Sequence, residues 1–107
     1  MESVPVKEFD IFIPLFDNEG TRFKSVLYQN LQVRLLEYFN GLTFFPQPNE
    51  GFWRVGDATY RDEVVVYRVL TEKSRAARRY LSSLKEELKR IFRQEEILIV
   101  QRNVRTL

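Results

Sequence analysis

The sequence predicts an α+β domain whose elements run β-α-β-β-α-β. Three observations carry that prediction. An apolar, β-rich run opens the chain, two long segments follow with apolar residues at helical spacing, and each is succeeded by short stretches rich in Phe, Ile and Val.

Residues 8–16 have the length and composition of a buried strand, with Phe9, Ile11, Ile13 and Leu15 on one face and Phe12 and Phe16 on the other. Apolar residues on both faces suit a central strand. Pro14 has no N–H for a ladder, so pairing is expected to weaken there. Asp17 to Gly20 supply turn chemistry and Thr21 is placed to cap a helix. Through Phe39 the pattern is helical, with Phe23, Leu27, Leu31, Leu35 and Tyr38 in one stripe and Gly41 at the expected C-cap. A second strand is read at Leu42 to Phe45, stopped by the stretch from Pro46 to Gly51. Gly56-Asp57 between β-rich arms signals a two-residue hairpin. The third strand, from about Thr59 to Leu70, is long for so small a domain, so its first half is expected to project as a hairpin arm. A second helix opens at Thr71 to Ser74 and ends near Phe92, with Ala77, Tyr80, Leu81, Leu84, Leu88 and Ile91 as its apolar stripe. The last strand is read from Glu96 to about Gln101, and residues 103–107 as a polar tail. Two right-handed crossovers can interleave to put strands one and three at the centre of an antiparallel sheet with both helices on one face, the ferredoxin-like sandwich.

At 107 residues, one domain spanning 1–107 is expected, able to bury roughly 65% of its unfolded surface. Apolar residues form 44% of the chain, which argues against disorder. The 17 Lys+Arg and 15 Asp+Glu nearly cancel, and a net charge of +2 does not by itself imply a polyanionic partner. No cysteine is present, which excludes disulfides, thiol nucleophiles and thiolate metal sites. The absence of histidine removes Ser-His-Asp triads and most transition-metal sites. No metal and no cofactor are therefore expected, and no catalytic residue is assigned. The first residues lack a basic region followed by an apolar one, and no run is long enough to span a bilayer, so a cytoplasmic protein without membrane contact is expected.

Two helices cover only one side of a four-stranded sheet. The other side, with Phe12, Phe16 and one valine set of strand three, needs a cover, and face-to-face homodimerisation with the arm completing the seam is the expected solution. The alternative cover is the chain itself: residues 1–7, residues 103–107 and the 46–51 loop. The candidate ligand site gathers Thr43, Trp53, Arg54, Tyr60 and Glu63, an aromatic wall beside an Arg–Glu pair suited to a small polar or anionic ligand. The competing explanation for these residues is packing in the dimer seam.

Gly41-x-Thr43, then Gly51-x-Trp53-Arg54, then an acidic residue entering a valine-rich strand, a helix and an Ile/Val-rich strand resembles a family of small uncharacterised bacterial proteins. The resemblance covers about residues 39–100 and implies a ferredoxin-like fold. Glu63 matches the family's acidic position, with Asp62 equally placed. No activity comes with it.

Arg75, Arg78, Arg79, Lys85 and Lys89, with Arg90 beside them, form a basic face on the second helix, the footprint of phosphate-backbone contact, although Glu86 and Glu87 interrupt it. The sequence thus supports a non-enzymatic homodimeric module that binds a ligand or a protein. A nucleic-acid-associated protein using helix two is one alternative. A small acid–base enzyme of the dimeric α+β barrel type, using Glu63, Arg54 or Tyr60, is another.

Overall fold

A computed structural model of the chain describes residues 3–107. Its elements are β1 (Val4–Pro14), α1 (Ser25–Phe39), β2 (Thr43–Val55), β3 (Ala58–Thr71), α2 (Ser74–Ile91) and β4 (Ile99–Thr106). The strands form one antiparallel sheet in the order β2-β3-β1-β4. This is the ferredoxin-like arrangement, with the two most apolar strands at its centre.

One parity of β1 and β3 makes the core. Phe9, Ile11 and Ile13 with Val65, Tyr67 and Val69 meet Leu31 and Leu35 of α1 and Ala77, Leu81, Leu84 and Leu88 of α2. Both helices therefore lie on one side of the sheet. Phe92, fully buried just past α2, packs edge-on to Phe23 at 5.1 Å and against Tyr28 at 5.5 Å. Two tyrosines tie the core to backbone. Tyr28 donates its hydroxyl to the Pro14 carbonyl at 2.7 Å, and Tyr67 donates to the Tyr28 carbonyl at 3.3 Å. Burial pushes the Tyr28 hydroxyl up to about 12 and Tyr67 higher still. Both phenols therefore stay protonated near neutral pH.

Several boundaries differ from the sequence reading. Thr21 caps nothing: the Asp17 carboxylate accepts from the Glu19 and Thr21 amides at 2.9 and 2.8 Å. That turn, closed by the Phe16–Arg22 bridge, delays α1 to Ser25. Asn40, not Gly41, takes the left-handed cap at φ 63°, a conformation Asn tolerates. Tyr38 and Ile91 end up exposed at the limits of their stripes.

The larger correction concerns the chain ends. β1 begins at Val4, and the polar segment 103–106 is strand, paired with it from Val4↔Thr106 to Lys7↔Asn103. Residues 4–7 and 103–106 therefore extend the sheet and cannot lie over its face; residues 1–2 are outside the described region. Nor is 46–51 a loop. β2 runs through it with a bulge between Phe45 and Asn49.

Candidate functional site

The uncovered face of the sheet carries the other parity: Val6, Glu8, Asp10, Phe12 and Pro14 on β1, flanked by Val64, Val66, Arg68 and Leu70 on β3 and by Val100, Arg102 and Val104 on β4. Thr43 and Phe45 extend it onto β2. Phe16 does not belong here. It lies beyond the strand and packs against the core, under the Arg22 guanidinium.

The centre of this face is ionic, a correction to the expectation of apolar residues on both sides of β1. Arg68 grips Asp10 through two hydrogen bonds, 2.8 Å from Nε to Oδ1 and 3.0 Å from Nη2 to Oδ2, and its Nε lies 3.2 Å from Glu8. Arg102 donates to Glu8 at 2.9 Å and to the second oxygen of Asp10. Asp10 is 4% exposed although no helix covers it. The Arg68 hydrogen bonds hold its carboxyl below the usual range against the opposing effect of burial. Two cations and two anions cancel, so the network carries no net charge. Phe12, Val66, Phe45 and Leu70 surround it, and Arg68 stacks over the Phe45 ring at 5.0 Å.

Beyond the Pro14↔Val64 pair the sheet narrows to two strands. From Asp62 back to Ala58, β3 has β2 as its sole strand neighbour, and the ribbon turns at Gly56-Asp57. Gly56 sits at φ +60°, a conformation that favours glycine at the first position of a two-residue turn. This is the expected arm, and it gives the molecule its 49 Å length. Cross-strand partners share a face. Val55, Ala58, Trp53, Tyr60, Gly51 and Asp62 therefore continue the uncovered face, while Arg54, Thr59, Phe52, Arg61, Glu50 and Glu63 lie on the opposite one. Trp53 and Tyr60 stack at 6.0 Å and remain about half exposed; Phe52 is 63% exposed on the other side.

The five candidate ligand residues thus do not converge. Thr43 pairs with Arg68, eight residues along β3 from the Trp53–Tyr60 pair, or roughly 26 Å. Trp53 and Tyr60 share one face; Arg54 and Glu63 share the other. The Arg–Glu pair exists, but Arg61 makes it, with Glu50 and with Glu63 at 3.4 Å. The equally placed acid, Asp62, lies on the tryptophan side, and burial raises its carboxyl above the ordinary value.

The basic face of α2 divides in two. Arg75, Arg78 and Arg79 line an open groove with Ser74 and Ser82 and have no ionic or hydrogen-bonding partner among the described residues. Lys85 pairs with Glu96 at 2.9 Å and Lys89 with Glu86 at 3.4 Å, so the other half is neutralised. No helix of the described residues is long and apolar enough to cross a membrane.

No family model and no curated protein matches the chain. Solved structures do. The chain is similar to a phage SAM lyase in complex with S-methyl-5′-thioadenosine, with a TM-score of 0.65 and 11% identity over 94% of this chain and 88% of that one. It is also similar to CutA1 from Oryza sativa, with a TM-score of 0.63 and 13% identity over 98% of this chain and 84% of that one. At these identities the likeness is one of fold.

Proposed function

We propose that this protein is a self-associating binding module, a homodimer formed by laying the uncovered sheet faces together with the arms completing the seam. One observation carries the reading. The arm's Trp53, Tyr60 and Val55 continue the apolar rim of the sheet face, and no described element of the chain lies over either. An isolated two-stranded ribbon is marginal in water, so exposed aromatics on one call for a partner surface. Roughly thirty sheet residues at about 16 Å² each give roughly 500 Å² of face per copy, and the arm adds about 150 Å². Two copies together reach about 1,300 Å², within the range of stable interfaces. The central network suits burial because it is already neutral and hydrogen-bonded. Light scattering at micromolar concentration should return twice the 12.9 kDa chain mass. The single-chain mass overturns the proposal, and a mass of three copies keeps association but discards the two-fold arrangement.

Binding rather than catalysis is supported by the scatter of the candidate acid–base groups over two faces of the arm. S-methyl-5′-thioadenosine, held by a protein of similar fold, is a suitable first ligand to test by calorimetry.

A second reading, contact with a nucleic-acid backbone, is favoured by the three unpaired arginines of the α2 groove. Three phosphate contacts give a salt slope of about −2 to −3 in log affinity against log salt. Arg75→Glu, Arg78→Glu and Arg79→Glu together should abolish oligonucleotide binding, whereas charge reversal at Lys85 and Lys89 should change it little. An oligonucleotide that fails to bind even at low salt ends this reading.

A further inference from the structure

Six described carboxylates are not fully exposed: Glu8, Asp10, Asp17, Asp62, Glu63 and Glu87. Five of them meet an arginine. Glu8 and Asp10 share Arg68 and Arg102, Asp17 has Arg93 at 2.9 Å, Glu63 has Arg61, and Glu87 has Arg34 at 2.6 Å. Asp62 is the exception. Its one protein hydrogen bond comes from the Glu63 amide at 2.9 Å, and its cationic neighbour in sequence, Arg61, pairs with Glu50 and Glu63 on the opposite face instead. A half-sheltered carboxylate without a counter-charge is unfavourable for folding, and a bound cation would relieve that cost.

The surroundings of Asp62 say what kind. Directly across the ladder stands Gly51, where an added Cβ would meet nothing within 4 Å. The missing side chain leaves a notch. On one side of it rise the stacked rings of Trp53 and Tyr60; on the other lie Val64 and Asn49. Asn49 directs its amide nitrogen to the carbonyls of Gln47 and Val64, which leaves its side-chain oxygen as an acceptor. No Lys or Arg occupies this face of the arm. The notch therefore presents a carboxylate, an amide oxygen and the exposed parts of two aromatic rings, and no cationic donor.

We infer that this notch is a binding site for a small organic cation of the alkylammonium class, with Asp62 as the counter-ion and Trp53 and Tyr60 as the aromatic wall. Recognition of such cations by ring faces within about 6 Å is a general property of aromatic side chains, strongest for tryptophan. The site needs no second copy. In the proposed dimer Trp53 and Tyr60 belong to the seam, and the partner's surface would form the roof of the site.

Trp53 is the sole tryptophan, so its fluorescence reports on the notch directly. Choline chloride titrated at constant ionic strength against sodium chloride should produce a saturable change in that fluorescence. Asp62→Asn should weaken the response by about tenfold or more, as loss of a counter-ion at a cation–π site implies. Gly51→Val, which fills the notch with a residue that strands accept, should abolish it while far-UV dichroism stays unchanged. Glu63→Gln, on the opposite face, should leave it intact. An absence of saturation, or equal responses from Asp62→Asn and the parent chain, overturns the site. Light scattering on the same samples separates the two proposals. A monomer that binds choline sinks the dimer and keeps the site, whereas a dimer whose Trp53 ignores choline does the reverse.

Discussion

Replacing Asp10 by Asn tests whether the ionic centre of the sheet faces water or a second copy. The substitution keeps the side-chain volume and removes one of two negative charges, leaving Arg68 and Arg102 to share Glu8. In a solvated monomer the cost is moderate. The two guanidinium side chains are 35% and 45% exposed and can rehydrate, so losing their charge-assisted hydrogen bonds should destabilise by about 1–2 kcal/mol. Under a dry cover, the surplus positive charge has no water to turn to, and breaking such a network costs about 3–5 kcal/mol. The difference, about 2 kcal/mol per copy, must appear in the association step. A symmetric dimer contains the network twice, so its dissociation constant should rise by roughly a thousandfold, the equivalent of about 4 kcal/mol. Urea unfolding of the dilute monomer, followed through Trp53, supplies the first quantity, and sedimentation equilibrium supplies the second. A variant destabilised as a monomer whose dissociation constant stays within about threefold of the parent's refutes the placement of this face at the interface.

Two further outcomes follow from the charges. Asp62→Asn should raise the melting temperature at neutral pH: the folded state lifts this carboxyl's pKa, so its ionisation opposes folding above that pKa. The advantage should fade as pH falls below the unfolded value near 3.8, which a dichroism melting series across pH 3–7 would reveal. Asp10 behaves oppositely. Its folded pKa is lowered, so its contribution is present above about 3.8 and is lost as pH falls through the folded value, giving an acid unfolding limb that Asp10→Asn removes.

The fold was legible because period-two and helical apolar patterns coincide with the core. Phe9, Ile11 and Ile13 face the helices, and Leu31, Leu35, Ala77, Leu81, Leu84 and Leu88 answer them. The outer half of β4 was not legible: Gln101, Arg102, Asn103 and Arg105 carry no apolar signal, and their strand conformation comes from backbone pairing with β1 and from contacts such as Lys7 to Asn103. The ionic network was partly legible in hindsight of geometry. Glu8 and Asp10 alternate with Phe9 and Ile11, a period that puts both acids on one face, but their partners Arg68 and Arg102 lie about 60 and 90 residues away and only the register joins them. The same holds for the arm. Trp53, Arg54, Tyr60 and Glu63 looked like one constellation because they are close in sequence, and strand alternation sends them to two faces.

What finally sets the arm's site is the bulge at Pro46, Gln47 and Pro48. At the base of the hairpin, Phe45 pairs with Val66; at the tip, the Gly56-Asp57 turn pairs Val55 with Ala58. Carried upward without interruption, the base register would put Trp53 opposite Ala58 and Gly51 opposite Tyr60. The turn instead requires Trp53 opposite Tyr60 and Gly51 opposite Asp62, and the two extra residues of the bulge absorb the mismatch. An even insertion preserves which side chains face the uncovered side while bending the ribbon. Deleting Gln47 and Pro48 should therefore leave the core, the turn and the Trp53–Tyr60 stack in place and change only the angle at which the arm leaves the sheet. The chain should fold with parental dichroism yet associate more weakly, as sedimentation would measure. Undiminished association in that deletion would mean that the arm has no part in the seam.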